Sequence, residues 1–288
     1  MLFGLNVSPA SDADPVAAAR KAEELGFDFV SANDHLHGSN PRHETWTMLS
    51  WIAAATSRIF VASRVLAVPY RHPAVLAKMA ESFDRLSGGR LILGMGGGYS
   101  DAEFLAFGLG KRSAREKVDG LEEAVRIVRG LWSESTFTFG GRLYSTAGAE
   151  VEPKPERRIP IWLGTYGPRA LDLTGRLADG WIPTFELAPP ERVTAMRERV
   201  LSAAREAGRD PEAITCVYNL DIRVDERHGR PASMVSGSSE ALAERLLSFA
   251  RLGFTAFNLC PVGPGEDEQI ERLAREVVPA VRSTASLP

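Results

Sequence analysis

Short apolar runs alternate with amphipathic stretches along the whole chain. LFGLNV (2–7) precedes an Ala-rich stretch over 13–25, FDFVSA (27–32) precedes a helical pattern over 44–56, and RIFVASRVLAV (58–68) precedes one from Pro73 to about Ser87. LILGMG (91–96) leads into a longer helical region that ends in GLEEAVRIVRGLW (120–132). There Leu121, Val125, Val128 and Leu131 recur at helical spacing, so one stripe faces a core. Local punctuation agrees: Asp12 and Asp14 stand where an N-cap belongs, Pro15 suits a first turn, and Gly26 suits the left-handed position after the last.

The alternation breaks at FTFGGRLYS (137–145), where a two-residue period around Gly140 and Gly141 predicts a hairpin. The segment 133–158 reads as an insertion on the upper face of the fold. Units resume with IPIWLG (159–164) and a helix over 168–178, then GWIPTF (180–185) and a helix over 190–207. ITCVYNLDIRV (214–224), a loop, and a helix opened by Ser238, Ser239 and Glu240 follow; FTAFNLC (254–260) and a helix over 266–282 close the chain. Eight strands alternating with about eight helices predict an α/β fold, a (β/α)8 TIM barrel occupying 1–288 as one domain, with the insertion after its fourth unit.

Composition narrows the function classes. With 44% hydrophobic and 25% charged residues the chain can bury a large core. A net charge of -3 offers no footprint for nucleic acid or an anionic membrane, and no apolar run reaches membrane-spanning length, which leads us to expect a cytoplasmic protein. Cys216 and Cys260 each sit inside an apolar run, so packing is expected of them and neither a disulfide nor a metal site.

In a parallel barrel the side chains just past each strand face the ligand, which makes Asp34 and His35, after the second strand, the first candidates. A neutral imidazole can take a proton from a reacting carbinol, and an adjacent carboxylate can orient it. Arg71 and His72 stand ahead of the helix at Pro73, either as site residues or as solvated ones. GMGGGYS (94–100) and GTYGPRA (164–170) are glycine loops after the fourth and fifth strands, where backbone can approach a ligand and free amides can hold a phosphate. Neither fits the Rossmann or P-loop spacing. Trp46, Trp51, Trp162 and Trp181 read as core or pocket lining, with Trp46 a candidate wall for a flat cofactor.

Five ordered blocks carry a resemblance over nearly the whole length: GFDFVSANDHL, VLAVPYRHPAVLAK, FDRLSGGRLILGMGGGYSDAEFLAFG, REKVDGLEEAVRIVRGLW and IPIWLGTYGPRALDLTGRLADGWIP. The chain resembles the luciferase-like monooxygenase superfamily, and Asp followed by His after the second strand resembles its coenzyme F420-dependent branch. The resemblance implies that Asp34 contacts the deazaflavin and His35 sits beside its reactive face. Ser63, Arg64 and Val65 would lie on a third-strand bulge that often carries a non-proline cis peptide, although Gly is frequent where Arg64 stands. Gly96, Gly97 and Gly98 would border the ring, while Gly164, Thr165, Gly167, Pro168 and Arg169 would hold the phosphate and its neighbouring tail. Trp46, Tyr99, Tyr166 and residues of 133–158 would shape the substrate pocket.

The expected function is hydride transfer between F420 and a small organic substrate, by a protein that dimerises as relatives do through helices near the first three strands. The alternatives are an FMN-dependent monooxygenase supplied by a separate flavin reductase, and a non-catalytic cofactor-binding barrel. Deazaflavin-dependent sugar-phosphate dehydrogenases resemble the chain but carry an acidic residue where Tyr99 stands, and lysine is absent beyond Lys154, which disfavours that substrate class.

Overall fold

Strands rich in Val, Ile, Leu and Phe, without polar alternation, suit a parallel sheet buried on both faces, and such a sheet forms here. The computed structural model describes residues 1–225 and 233–285. Its first half runs β1 (Leu2–Asn6), α1 (Pro15–Glu24), β2 (Phe29–Ala32), α2 (Thr45–Ala55), β3 (Phe60–Ser63), the short β4 (Leu66–Ala67), α3 (Pro73–Leu86) and β5 (Leu91–Gly96). Helices α4 (Asp101–Ala106) and α5 (Ala114–Ser133) follow, then the hairpin β6 (Phe137–Gly140) and β7 (Ser145–Ala149). The second half comprises β8 (Ile161–Leu163), α6 (Pro168–Leu177), β9 (Gly180–Trp181), α7 (Pro190–Glu206), β10 (Thr215–Val224), β11 (Val235–Gly237), α8 (Ser239–Arg251), β12 (Ala256–Pro261), α9 (Glu266–Arg272) and α10 (Val278–Ala285).

Eight parallel strands close in the order β1, β2, β3, β5, β8, β9, β10, β12 and back to β1, with β4 continuing the path of β3 alongside β5. This is the expected (β/α)8 barrel. Strand β11 pairs with β10 inside the stretch read as a plain loop, and part of that loop lies outside the described residues. Among the described residues no helix is long and apolar enough to cross a membrane. Cys216 and Cys260 are buried and unpaired.

The segment 133–158 does join the helix after the fourth barrel strand to the fifth, but it does not cap the upper face. Phe137 packs over Gly130 near the lower end of α5, and the hairpin climbs the outside of that helix. Only its turn rises toward the strand ends, where the Glu123 carboxylate accepts the backbone N–H groups of Arg142, Leu143 and Tyr144 at 2.8–2.9 Å. Partly buried Phe137 and Phe139 bind the hairpin to the helix, which leaves the barrel mouth open.

Inside the barrel the inward positions change character with height. Phe29, Ala62, Ile92, Trp162, Ile182, Val217 and Ala256 fill one apolar layer, with Phe29 and Trp162 edge to face at 5.4 Å. Two residues further along each strand, on the same face, stand Ser31, Arg64, Gly94, Gly164, Thr184, Asn219 and Asn258. Bulk therefore ends halfway up, and a polar floor begins.

The lower end is closed by charge on backbone. Glu23 of α1 accepts the N–H groups of Ser57, Arg58 and Ile59 at 3.0, 2.6 and 2.9 Å and so fixes the entry to β3. Burial pushes its carboxyl up, yet the three amides outweigh burial and draw it down from 4.5 to about 2. A depressed carboxyl stabilises above its unfolded pKa and loses that contribution as pH falls through the folded one. Glu23→Gln should cost about 1–3 kcal/mol in urea unfolding at neutral pH, and the difference should shrink as pH falls from 4.5 toward 2. A pH-independent difference would assign the effect elsewhere.

Candidate active site

Beyond β2 the chain turns over the barrel rim at Asn33, Asp34 and His35. The Asp34 carboxylate is enclosed: Oδ2 accepts Ala67 N–H at 2.9 Å and Arg71 Nη1 at 2.8 Å, and Oδ1 accepts Arg71 Nη2 at 3.2 Å. Arg71 also pairs with Glu44, the N-cap of α2, whose oxygens take the N–H groups of Trp46 and Thr47. Burial works against the Arg71 charge, but Asp34 and Glu44 more than restore it and raise its pKa. Asp34 thus anchors the 64–71 segment, and its engaged oxygens do not suit the catalytic role expected of it.

His35 has a different partner. Its Nδ1 lies 2.8 Å from Oε1 of Glu103 on α4, and Oε2 of the same carboxylate accepts the Tyr70 hydroxyl at 2.6 Å and the Leu36 N–H at 3.3 Å. Burial pushes the Glu103 carboxyl up, but the donations from Tyr70, His35 and Leu36 win and hold it below the ordinary range. Burial and that carboxylate together push the Tyr70 phenol well above its usual value. An ionised Glu103 can only accept, so Nδ1 of His35 is the donor and a neutral ring presents its lone pair at Nε2. Glu103 was not among the candidates, because Ser-Asp-Ala-Glu (100–103) reads as a helix cap. Ser100 does cap Glu103 N–H at 3.3 Å, while the Glu103 carboxylate turns to His35 instead.

A cleft of about 410 Å³ opens beside this group. It brings together Asp34, His35, Arg64, Val65, Gly96, Gly97, Gly98, Tyr99, Gly164 and Tyr166 from the sequence candidates, and adds Asn33, Tyr70, Glu103, Glu186 and Asn219. The Arg64–Val65 peptide is cis, as the resemblance led us to expect. Close approach explains two glycines: a Cβ on Gly94 would fall 1.8 Å from the Ser63 carbonyl oxygen, and one on Gly96 would fall 2.7 Å from Val65 Cγ2. Within the polar floor Ser31 donates to Asn258, which donates to Asn219, both at 2.9 Å, so these buried groups satisfy one another.

Other candidates lie elsewhere. Ser63 is buried beneath the floor with its hydroxyl on the Gly94 carbonyl, and Thr165 is buried against Thr174 at 2.7 Å. Gly167 and Pro168 form the start of α6, and Arg169 turns outward to Asp119 at 2.7 Å. Trp46 packs edge-on against Phe83 between α2 and α3, outside the barrel, so it cannot wall the cleft; His72 caps α3. Trp162 and Trp181 are core, whereas Trp51 is exposed.

The family model for luciferase-like monooxygenases matches residues 7–230. Among relatives, the F420-dependent glucose-6-phosphate dehydrogenase of Kineococcus radiotolerans is 35% identical over 70% of this chain and 63% of its own length. That of Microbacterium testaceum is 31% identical over 72% and 63%. The chain therefore spans less than two thirds of these relatives. An F420-dependent secondary alcohol dehydrogenase, solved with an F420-acetone adduct, superposes with a TM-score of 0.89 at 21% identity, covering 98% of this chain and 99% of that one, which speaks to the fold. Matched over most of its length, with the barrel and the strand-end histidine in place, the chain belongs to the luciferase-like monooxygenase family.

Proposed function

We propose that the chain is one F420-dependent oxidoreductase domain over 1–288, acting on a small organic substrate, with His35 as its acid-base group. The observation that carries this is the Tyr70, Glu103 and His35 chain at the edge of a glycine-floored cleft. The F420 dependence in both relatives' names supports the cofactor over FMN.

The residues present fit F420. Val65 and Gly96, Gly97, Gly98 and Gly164 offer a flat bed for a ring system. Asn33 Oδ1 is a buried acceptor with no partner among the described residues, suited to a ring N–H. Helix α6 begins without a side-chain cap, and nothing stands within 4 Å of a side chain placed on Gly167, so its amides suit the phosphate. Arg169 takes part only by leaving Asp119. When bound, F420 supplies a hydride donor or acceptor. Glu103 holds His35 in one tautomer and one orientation, and Nε2 takes the proton of a carbinol or returns one to the reduced product.

Glucose 6-phosphate is not carried over with the cofactor. Among the described residues lining the cleft, Arg64 is the one arginine or lysine, and Tyr99 stands where the sugar-phosphate dehydrogenases that the chain resembles carry an acidic residue. The setting is cytoplasmic, where free thiols such as Cys216 and Cys260 persist. A second copy of the chain covers the apolar groove between α2 and α3, lined by Val75 and Leu86, which are 56% and 88% exposed.

Titration should show F420 fluorescence quenched by the protein with FMN binding at least ~10-fold weaker; tight FMN binding with oxygen uptake and no F420 binding would select the monooxygenase. In a screen of alcohols, imines and activated alkenes, His35→Ala should lower kcat/KM by roughly 10²–10⁴-fold. Glu103→Gln should lower it about 10–100-fold and move the pH profile, with F420 affinity unchanged. Wild-type turnover in either variant would remove the assigned roles. Light scattering should find a dimer that Leu86→Glu converts to monomer without loss of helical circular dichroism.

A further inference from the structure

Arg64 is out of keeping with its surroundings. It stands at an inward position of the barrel, level with Gly94, Gly164, Ser31 and Asn258, where a long cation is the exception. Its Nε donates to Asn6 Oδ1 at 3.0 Å, and among the described residues nothing accepts from Nη1 or Nη2. Arg71, a few residues on, has its fork filled by Asp34 and Glu44. Arg64 is half-buried and lines the cleft, with its two terminal nitrogens unengaged by any described residue.

The direction of reach separates this group from the cofactor bed. The side chain of Arg64 crosses to Asn6 on β1, the side of the barrel that also carries β10 with Asp221 and β12 with Cys260. Those three strands lie across the barrel from the β5 and β8 loops that suit the ring and phosphate. No ion pair forms with Asp221 within 4.0 Å, so the guanidinium keeps a planar pair of donors for an incoming group.

We propose that Arg64 anchors a carboxylate on the substrate, and that the enzyme acts on small monocarboxylic acids bearing a hydroxyl, carbonyl or conjugated alkene. This rests on the oxidoreductase reading given above. One carboxylate matches the free fork, while Glu186 on the cleft wall repels a second negative charge. A dianionic phosphate or a dicarboxylate is therefore disfavoured. Bound this way, a substrate is tethered at one end by Arg64 and presents its reacting carbon toward His35 and the cofactor bed.

Calorimetric titration of the protein, with and without F420, against short-chain and aromatic oxo monocarboxylates and their methyl esters tests the assignment. The acids should bind at least ~10-fold more tightly than the esters. Arg64→Met should abolish that preference, and Arg64→Lys should keep part of it because a point charge survives without the fork. Equal binding of acid and ester, a preference that survives Arg64→Met, or no binding by any acid would overturn the proposal. So would an Arg64→Met protein that loses F420 affinity while its acid preference stands, since Arg64 would then serve the cofactor. Fluorescence titration with F420 reads the underlying cofactor assignment separately: failure there, with acid preference intact in the unloaded protein, overturns that assignment and not this one.

Discussion

The buried Asp34–Arg71 ion pair holds the upper rim of this barrel in register. It links the end of β2 to the 64–71 segment, and through Glu44 to the first turn of α2. A buried pair of this kind gains little net stability over apolar packing, but losing one partner strands a charge and costs about 3–5 kcal/mol. Its value here is geometric. The same segment presents Arg64, Val65 and Tyr70 to the cleft, so three site residues inherit their positions from one charge pair.

The second determinant is the change of inward side chains with height. Large apolar groups at the lower level make the barrel a packed solid, and Gly, Ser and Asn two residues later make it a receptacle. The buried Ser31, Asn258 and Asn219 chain keeps that transition from leaving unpaired polar atoms. At the edge of this floor stands His35, hydrogen-bonded to the Glu103 carboxylate that also accepts the Tyr70 hydroxyl.

Element order, the barrel, and the placement of His35 were legible because strand ends and helix periods are local properties. The limits are equally physical. Glu103 lies 68 residues from His35, and its own neighbourhood spells a helix cap, so a local reading assigns its carboxylate to the backbone. Trp46 follows the Asp34–His35 loop closely in sequence, yet helical rotation turns it toward Phe83 and away from the cleft. That Arg71 reaches the Asp34 carboxylate is likewise set by tertiary structure, since the two stand 37 residues apart. The hairpin's alternation was visible, but which wall it leans on depended on the Glu123 carboxylate.

The sequence by itself determined the alternation of strands and helices, the glycines that permit close backbone approach, and a histidine at a strand end, since each follows from periodicity or local conformational freedom. Only the tertiary structure decided which carboxylate serves that histidine, which arginine is spent on Asp34, and which keeps an open fork. Those choices depend on distances between strands far apart in the chain, and only closure of the barrel sets them.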